Sequence, residues 1–457
     1  MEPRGTRKGY CRHYQRCSGL LAFCWVFLWL VTASCSWASE VVLVASSFPK
    51  ALLSTYKKAF DAQSPDYRVE FVNFPATNAV AYLRDRVPGS RIDVFWASSP
   101  DTFHVLRRHG LLQSLAGLSN PDIPEKIGAL AIDDPALFFR GQALFGYGIM
   151  WNRPYFAARG LEVPASWADL ARPAYFGHVV MPSASRSSTT HLIVEAILQG
   201  LGWEEGWALI LQIAGNCATI TSRTFDAPDS ITRGRFGLGP VVDFLALSGK
   251  YTGFPVDFTY IWPGAVTPAS IGLVEGARNP QGGKAFIAFT LSEAGQRLLL
   301  RPEISRLPVL PAVYASDQRP ADYPNLPVML RELPPRYDSG LSSVRYKMVG
   351  ALFDQLITFR HRKLVSISQS LHELAALLQE RPNPQAARLL ERARASVFRV
   401  PIAEDDELLT QRLLKTREQI AAIAQREAAW ARQIDRDHAL AQTWLAEARA
   451  LLMESSR

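Results

Sequence analysis

Cysteine is scarce in this 457-residue chain, and its placement is informative: of five, Cys11, Cys17, Cys24 and Cys35 all lie in or beside the N-terminal segment. Past residue 39 only Cys217 remains, so no intramolecular disulfide can form there, even in an oxidising compartment. A lone thiol between Asn216 and Ala218 cannot hold zinc or an iron–sulfur cluster by itself and reads as a small buried apolar residue. Histidine is equally thin, with eight in the chain, none at H-E-x-x-H spacing, and there is no G-x-S-x-G elbow. Catalytic residues, bound metal and cofactor are therefore not expected. Nor is there a basic stripe with interleaved stacking aromatics, which argues against nucleic acid as a partner.

Charge and hydropathy then supply an address. Arg4, Arg7, Lys8, Arg12 and Arg16 precede an apolar run from Leu20 to Val31, followed by small residues to Ser36-Trp37-Ala38. This is the pattern of a secretory signal peptide over 1–39, cleaved after Ala38 or Ser39, and the run is too short for a lasting membrane span. The expected location is periplasmic; a lipoprotein acylated at Cys35 is the alternative, with Thr32-Ala33-Ser34 an imperfect lead-in. Without those residues the chain carries 45 Lys and Arg against 41 Asp and Glu, a mild and scattered excess. With 48% hydrophobic residues there is ample material for two or three domains.

Along the chain, strands alternate with helices. Glu40 to Ala45, Val69 to Phe74 and Asp93 to Ala97 read as buried strands. Each leads towards a helical pattern, which predicts an α/β fold with a parallel sheet covered on both faces. In such sheets ligands sit outside the carboxyl ends of the strands, where the chain has Ser46-Ser47 and Ser98-Ser99. The richest stretch is Met181-Pro-Ser-Ala-Ser-Arg-Ser-Ser-Thr-Thr-His191, which runs into the apolar helical pattern Leu192, Ile193, Ala196, Ile197, Leu201. A helix start has unpartnered N–H groups and partial positive charge, and so can cradle an anion. Ser185, Ser187, Ser188 and Thr189 add hydroxyl donors there and Arg186 a planar cationic fork. The competing reading is an ordinary N-cap with the other hydroxyls in water. Gly146 and Gly148 inside the strand Phe145 to Asn152 suggest close backbone approach where the chain crosses into a second lobe. A second crossing returns it after Val241 to Leu247, giving two lobes joined by a hinge.

The order resembles the type II periplasmic solute-binding proteins of ABC transporters, in the branch of ferric-iron, sugar-phosphate and aminophosphonate binders. The resemblance rests on Ile92-Asp93-Val94-Phe95-Trp96, Gly202-Trp203-Glu204-Glu205-Gly206-Trp207, Asn279-Pro280 with Lys284-Ala285-Phe286-Ile287, and Leu291-Ser292-Glu293-Ala294-Gly295-Gln296, over roughly residues 40 to 315. With Tyr346 to Arg360 beyond the lobes, the layout is most like the phosphoglycerate transport regulatory branch. The resemblance implies a Venus-flytrap fold with lobe 1 at 40–144 and 258–318, lobe 2 at 145–257, a linker at 319–341 and a helical extension at 342–457. It also implies a site built from Ser46, Ser47, Ser98, Ser99, Ser185, Ser187, Ser188, Thr189, Arg223 and Asp243, to which the hydroxyl stretch itself adds Arg186. Ferric-binding relatives carry adjacent tyrosines where this chain has Val241-Val242, which favours an oxyanion over iron. Asp243 would repel an anion; either it faces Arg223 or Arg233, or it holds the ammonium of a zwitterionic ligand.

Pro320 to Pro335 reads as a linker or wrapping arm, and everything beyond it as helix. The last helix, Asp406 to Met453, has a seam at Leu413, Thr416, Ile420, Ile423, Glu427, Trp430, Ile434, Asp437, Ala441, Trp444, Ala448 and Leu451. That seam requires a neighbour: a hairpin on its own domain, a membrane partner, or a second copy of the chain. The expected role is capture of a small anionic solute, phosphorylated or phosphonate-like, for an ABC permease. A ligand sensor acting on a membrane sensor kinase through its C-terminal helices is the alternative, and a ferric-iron binder a further one.

Overall fold

A computed structural model describes residues 39–73, 79–84, 92–127, 130–264, 266–315, 319–324, 330, 337–404 and 417–454. The expected signal segment, most of the Pro320 to Pro335 arm, and Leu413 and Thr416 of the last seam lie outside the described residues.

The chain opens with β1 (Glu40–Ser46), α1 (Lys50–Gln63), β2 (Tyr67–Asn73), α2 (Ala79–Arg84), β3 (Val94–Ala97) and α3 (Pro100–Arg108). The short pair β4 (Lys126–Ile127) and β5 (Leu130–Ala131) precedes the long β6 (Arg140–Asn152) and α4 (Arg153–Arg159). Next come β7 (Val179–Pro182), α5 (Ser188–Leu201), α6 (Trp203–Asn216), β8 (Cys217–Thr221), α7 (Asp226–Thr232), β9 (Leu238–Val242) and α8 (Asp243–Tyr251). β10 (Val256–Tyr260), β11 (Val266–Leu273), α9 (Pro280–Leu291), α10 (Glu293–Leu298) and β12 (Leu307–Pro308) complete the α/β part. The remainder is helical: α11 (Ser339–Phe353), a π-turn at Asp354–Thr358, α12 (His361–Glu380), α13 (Pro384–Val397) and α14 (Arg417–Glu454).

The main sheet runs β2-β1-β3-β11-β6-β9-β7-β8, with β10 and β12 also pairing β6. The expected parallel pairing holds among β1 to β3 and among β7 to β9, but not across the whole sheet. β1 is parallel to β2 and β3, and β7 to β8 and β9, but β11 and β6 run antiparallel to their neighbours. The reason lies in β6, which pairs with β11 over Arg140 to Gly146 and with β9 from Tyr147 onward, so one strand carries the chain from lobe to lobe. Gly148 sits where β10 crowds it: a Cβ there would collide with the Thr259 carbonyl oxygen, as the strand glycines suggested.

The first lobe is held by an aromatic cluster in which the fully buried Trp96 meets Phe48 and Tyr56 edge-on, each with ring centroids 4.9 Å apart. Such buried rings each contribute roughly 2–3 kcal/mol by burial alone. The second lobe shares its core with the C-terminal helices: α12 packs on α6, and Trp203 Nε1 donates to the Ile402 carbonyl at 2.8 Å. α14 packs against α13 and α12, burying Trp430, Ile434, Ala441 and Ala448 of the expected seam. Among the described residues no helix is long and apolar enough to cross a membrane.

Candidate functional site

A cleft of about 390 Å³ opens between the lobes. One wall carries Ser47, Phe48, Asn73, Ser98 and Arg306; the other carries Arg186, Ser188, Thr189, Ser222, Arg223 and Thr224; Phe244 and Leu245 lie along the floor. These positions follow from local structure. Ser47 and Ser98 directly follow β1 and β3, whose carboxyl ends point at the cleft. Ser188 and Thr189 are the first residues of α5 and line the same space, so the positive end of that helix lies at the cleft.

Of the eleven residues expected from sequence, the cleft gathers Ser47, Ser98, Arg186, Ser188, Thr189 and Arg223. The other five do not line it. Ser46 is buried, its Oγ accepting from the Phe48 amide at 3.2 Å. Ser99 is buried against Thr102, with the two hydroxyl oxygens 2.7 Å apart. Ser185 turns to the Ser183 hydroxyl, at 2.9 Å. Ser187 is the N-cap of α5, accepting from the Thr190 amide at 3.2 Å and from the Thr224 hydroxyl at 2.9 Å. The capping reading therefore describes Ser187 and not its neighbours.

Asp243 is the largest departure. β9 ends at Val242 and Asp243 opens α8, buried beneath the floor. It pairs with neither of the expected arginines: its carboxylate accepts from the Gly146 and Phe244 amides, both at 2.7 Å, and from the Tyr260 hydroxyl at 3.1 Å. Arg233 instead meets Asp229 at 2.9 Å. Burial pushes the Asp243 carboxyl up to about 7, against the pull of those three donors and of Arg306. His191 is also absent from the cleft; it is fully buried, with Nε2 3.3 Å from the Ser342 hydroxyl and its ring tilted against that of Tyr346.

The residue that sequence reasoning missed is Arg306. It is 1% exposed, its guanidinium lies 3.6 Å from the Phe244 ring centre and 4.2 Å from that of Phe48, and Nη1 donates to the Ser98 hydroxyl at 2.9 Å. Nη2 is buried with no protein partner. Burial lowers its pKa to about 9, so it remains cationic at neutral pH. A buried cation with an unused donor at a cleft wall is costly unless something anionic completes it. Among the described residues that line the cleft, three are arginines and none is Asp, Glu, His, Cys or Tyr. Among the described residues no cluster of His, Cys, Asp and Glu could hold a metal ion.

Residues 92–326 match the sequence profile of the family described as bacterial extracellular solute-binding protein. The phosphoglycerate transport regulatory protein PgtC of Salmonella typhimurium is 31% identical over 361 residues, covering 78% of this chain and 86% of that one. In three dimensions the chain is similar to the periplasmic binding protein AfuA of Actinobacillus pleuropneumoniae, whose structure holds fructose-6-phosphate. There the TM-score is 0.57 at 17% identity, over 72% of this chain and 97% of AfuA. Iron-bound HitA of Pseudomonas aeruginosa is similar too, with a TM-score of 0.55 at 16% identity, over 71% and 99% of the two chains. At these identities the structures speak for the two-lobed periplasmic binding fold alone.

Proposed function

From the premise that this chain belongs to the bacterial extracellular solute-binding proteins, and so is a binding protein and not an enzyme, we propose that it captures a small phosphorylated anion between its lobes. The observation that carries this reading is Arg306, buried with one donor unused at the wall of a cleft that has no described carboxylate in its lining. A phosphoryl group offers the oxygens that Arg306, the hydroxyls of Ser47 and Ser98 and the first turn of α5 would satisfy together. Arg186 and Arg223 on the facing wall suit a second anionic group, so phosphoglycerates are the first candidates, in keeping with the name of the PgtC relative.

The donor set argues against the two alternatives. A zwitterionic aminophosphonate needs a carboxylate for its ammonium, and Asp243 lies beneath the floor with its oxygens engaged. Ferric ion favours anionic oxygen ligands, whereas none of Tyr147, Tyr155, Tyr251 and Tyr260 lines the cleft: Tyr147 is buried, and the other three direct their hydroxyls to His178, Asp322 and Asp243.

The protein acts in the periplasm, delivered by the N-terminal signal, and hands its solute to an ABC permease. A sensing role beside or instead of transport has one observation in its favour. The family match ends at residue 326, ahead of α11, and the C-terminal helices beyond it are more than capture alone requires. Thermal unfolding against 3-phosphoglycerate, fructose-6-phosphate, inorganic phosphate and ferric citrate tests the ligand. At a hundred times its dissociation constant a ligand adds about 2.7 kcal/mol to stability. A shift with ferric citrate and none with the phosphate esters would overturn the reading.

A further inference from the structure

α11 lies across the two lobes. On the lobe 1 side it faces one stripe of α3: the Ser342 hydroxyl donates to Asp101 Oδ2 at 3.1 Å, the Ser339 hydroxyl is 2.9 Å from His104 Nε2, and Arg108 Nη1 donates to the Ser343 hydroxyl at 3.1 Å. On the lobe 2 side it faces one stripe of α5. There Arg345 forms a buried ion pair with Glu195 at 2.8 Å, the Tyr346 ring lies tilted against His191 with centroids 3.9 Å apart, and the residue before α11, Asp338, receives a bond from Gln199 at 3.1 Å. The Ser342 hydroxyl touches both lobes at once, reaching Asp101 on α3 and His191 on α5.

The two helices so joined are those that start at the cleft. Ser98 lies just ahead of α3, and Ser188 and Thr189 begin α5. The far end of α11 returns to the loop that leads into α5: Asp354, in the π-turn, accepts from the Ser183 hydroxyl at 3.1 Å, and Gly350 lies beside Ser185. Helices move as rigid units, so a change in the spacing of the cleft walls must change the spacing of the stripes that hold α11. Contacts at these two stripes cannot all persist if the lobes rotate apart.

We propose that α11 is an interlobe strut that fixes the opening of the cleft and ties that opening to the C-terminal helices. The strut sets which lobe separation the protein adopts before any solute arrives, and any force on the C-terminal helices is felt at the cleft walls. By reciprocity, whatever narrows or widens the cleft tightens or loosens the seat of α11.

The test uses the full chain, labelled through keto amino acids encoded at exposed Lys58 on α1 and Glu204 on α6, and reads the distance between lobes by single-molecule energy transfer. The unsubstituted strut should give one narrow distance. Ser339→Ala, Ser342→Ala and Ser343→Ala together remove the three hydroxyl ties that α11 itself makes to α3, leaving the Tyr337 hydroxyl on Asp101, while alanine keeps α11 helical. Each net hydrogen bond is worth a factor of about five in an equilibrium, so the triple variant should shift the lobe equilibrium roughly a hundredfold and reveal a second distance. Should the triple variant fail to fold, Ser342→Ala alone should still raise the minor population about fivefold. An unchanged distance distribution in the folded variants overturns the strut. No solute is added, so a failure to bind 3-phosphoglycerate would defeat the functional reading and leave this result standing.

Discussion

Replacing Arg306 with methionine separates function from stability. In the wild type the guanidinium is 1% exposed, and burial lowers its pKa to about 9, which corresponds to roughly 5 kcal/mol against keeping the charge there. Set against this are one bond to Ser98, about 1 kcal/mol, and stacking between Phe244 and Phe48, about 2 kcal/mol. Methionine fills similar space without the charge, so the ligand-free variant should unfold no earlier than the wild type. Binding should suffer in the opposite sense, because losing one partner of a buried charged hydrogen bond costs about 3 kcal/mol, on the order of a hundredfold in dissociation constant. Calorimetric titration with 3-phosphoglycerate and thermal unfolding of the free protein read the two effects. A variant that binds as tightly as the wild type but unfolds well below it would show Arg306 to be a core residue and refute the reasoning.

Three further outcomes follow from buried groups. Cys217 is fully buried with its thiol pushed up by desolvation, so in the folded chain a thiol reagent should leave it unmodified and react only after denaturant is added. Glu195→Gln strands the buried Arg345 charge, which keeps only Glu404, and should cost about 3 kcal/mol in urea unfolding, whereas Glu195→Gln with Arg345→Met should recover most of it; equal losses would refute this. Asp101 is pushed up to about 7 by burial, with Glu195 adding to the effect and Ser342, Tyr337 and Arg108 opposing it. The native state thus holds that proton more tightly than the unfolded chain, so its contribution is whole below about pH 4 and is lost as pH rises through about 7. Denaturant midpoints should fall further between pH 5 and pH 8 in the wild type than in Asp101→Asn, and parallel falls would contradict the assignment.

Much of the frame was legible in the residues because it depends on local signals. The hydroxyl run ahead of Leu192 and Ile193 predicted the start of α5, and a helix begins there with Ser187 as its cap. The serines after β1 and β3 were legible as pairs, but not which member of each pair turns outward: a strand alternates its faces, and the turn that follows decides whether Ser46 or Ser47 faces the cleft. Arg306 was invisible because its role depends on Ser98, 208 residues away, and on two rings from different elements. Asp243 was misjudged for a related reason, since its partners Gly146 and Tyr260 come from strands that meet only in the folded sheet. The apolar periodicity of α11 marked a helix, yet its serines acquire meaning only once α3 and α5 lie on either side.

The three arginines of the cleft need not act alike. Arg186 and Arg223 are exposed, so their attraction for an anion reaches into solvent and is screened by salt over about 10 Å. Arg306 is shielded by Phe48 and Phe244 and can act only on a ligand already inside. Exposed charges change chiefly the rate of encounter, and buried hydrogen-bonded charges the rate of escape. The position of Asp243 fits this division. Its carboxyl lies under the floor, close enough to favour the charged form of Arg306, yet three donors from Gly146, Phe244 and Tyr260 keep it turned away from the cleft. An anion entering the cleft would therefore meet hydroxyls, the start of α5 and the guanidiniums of Arg186 and Arg223, with Arg306 behind them in the wall holding one nitrogen that no described protein group engages.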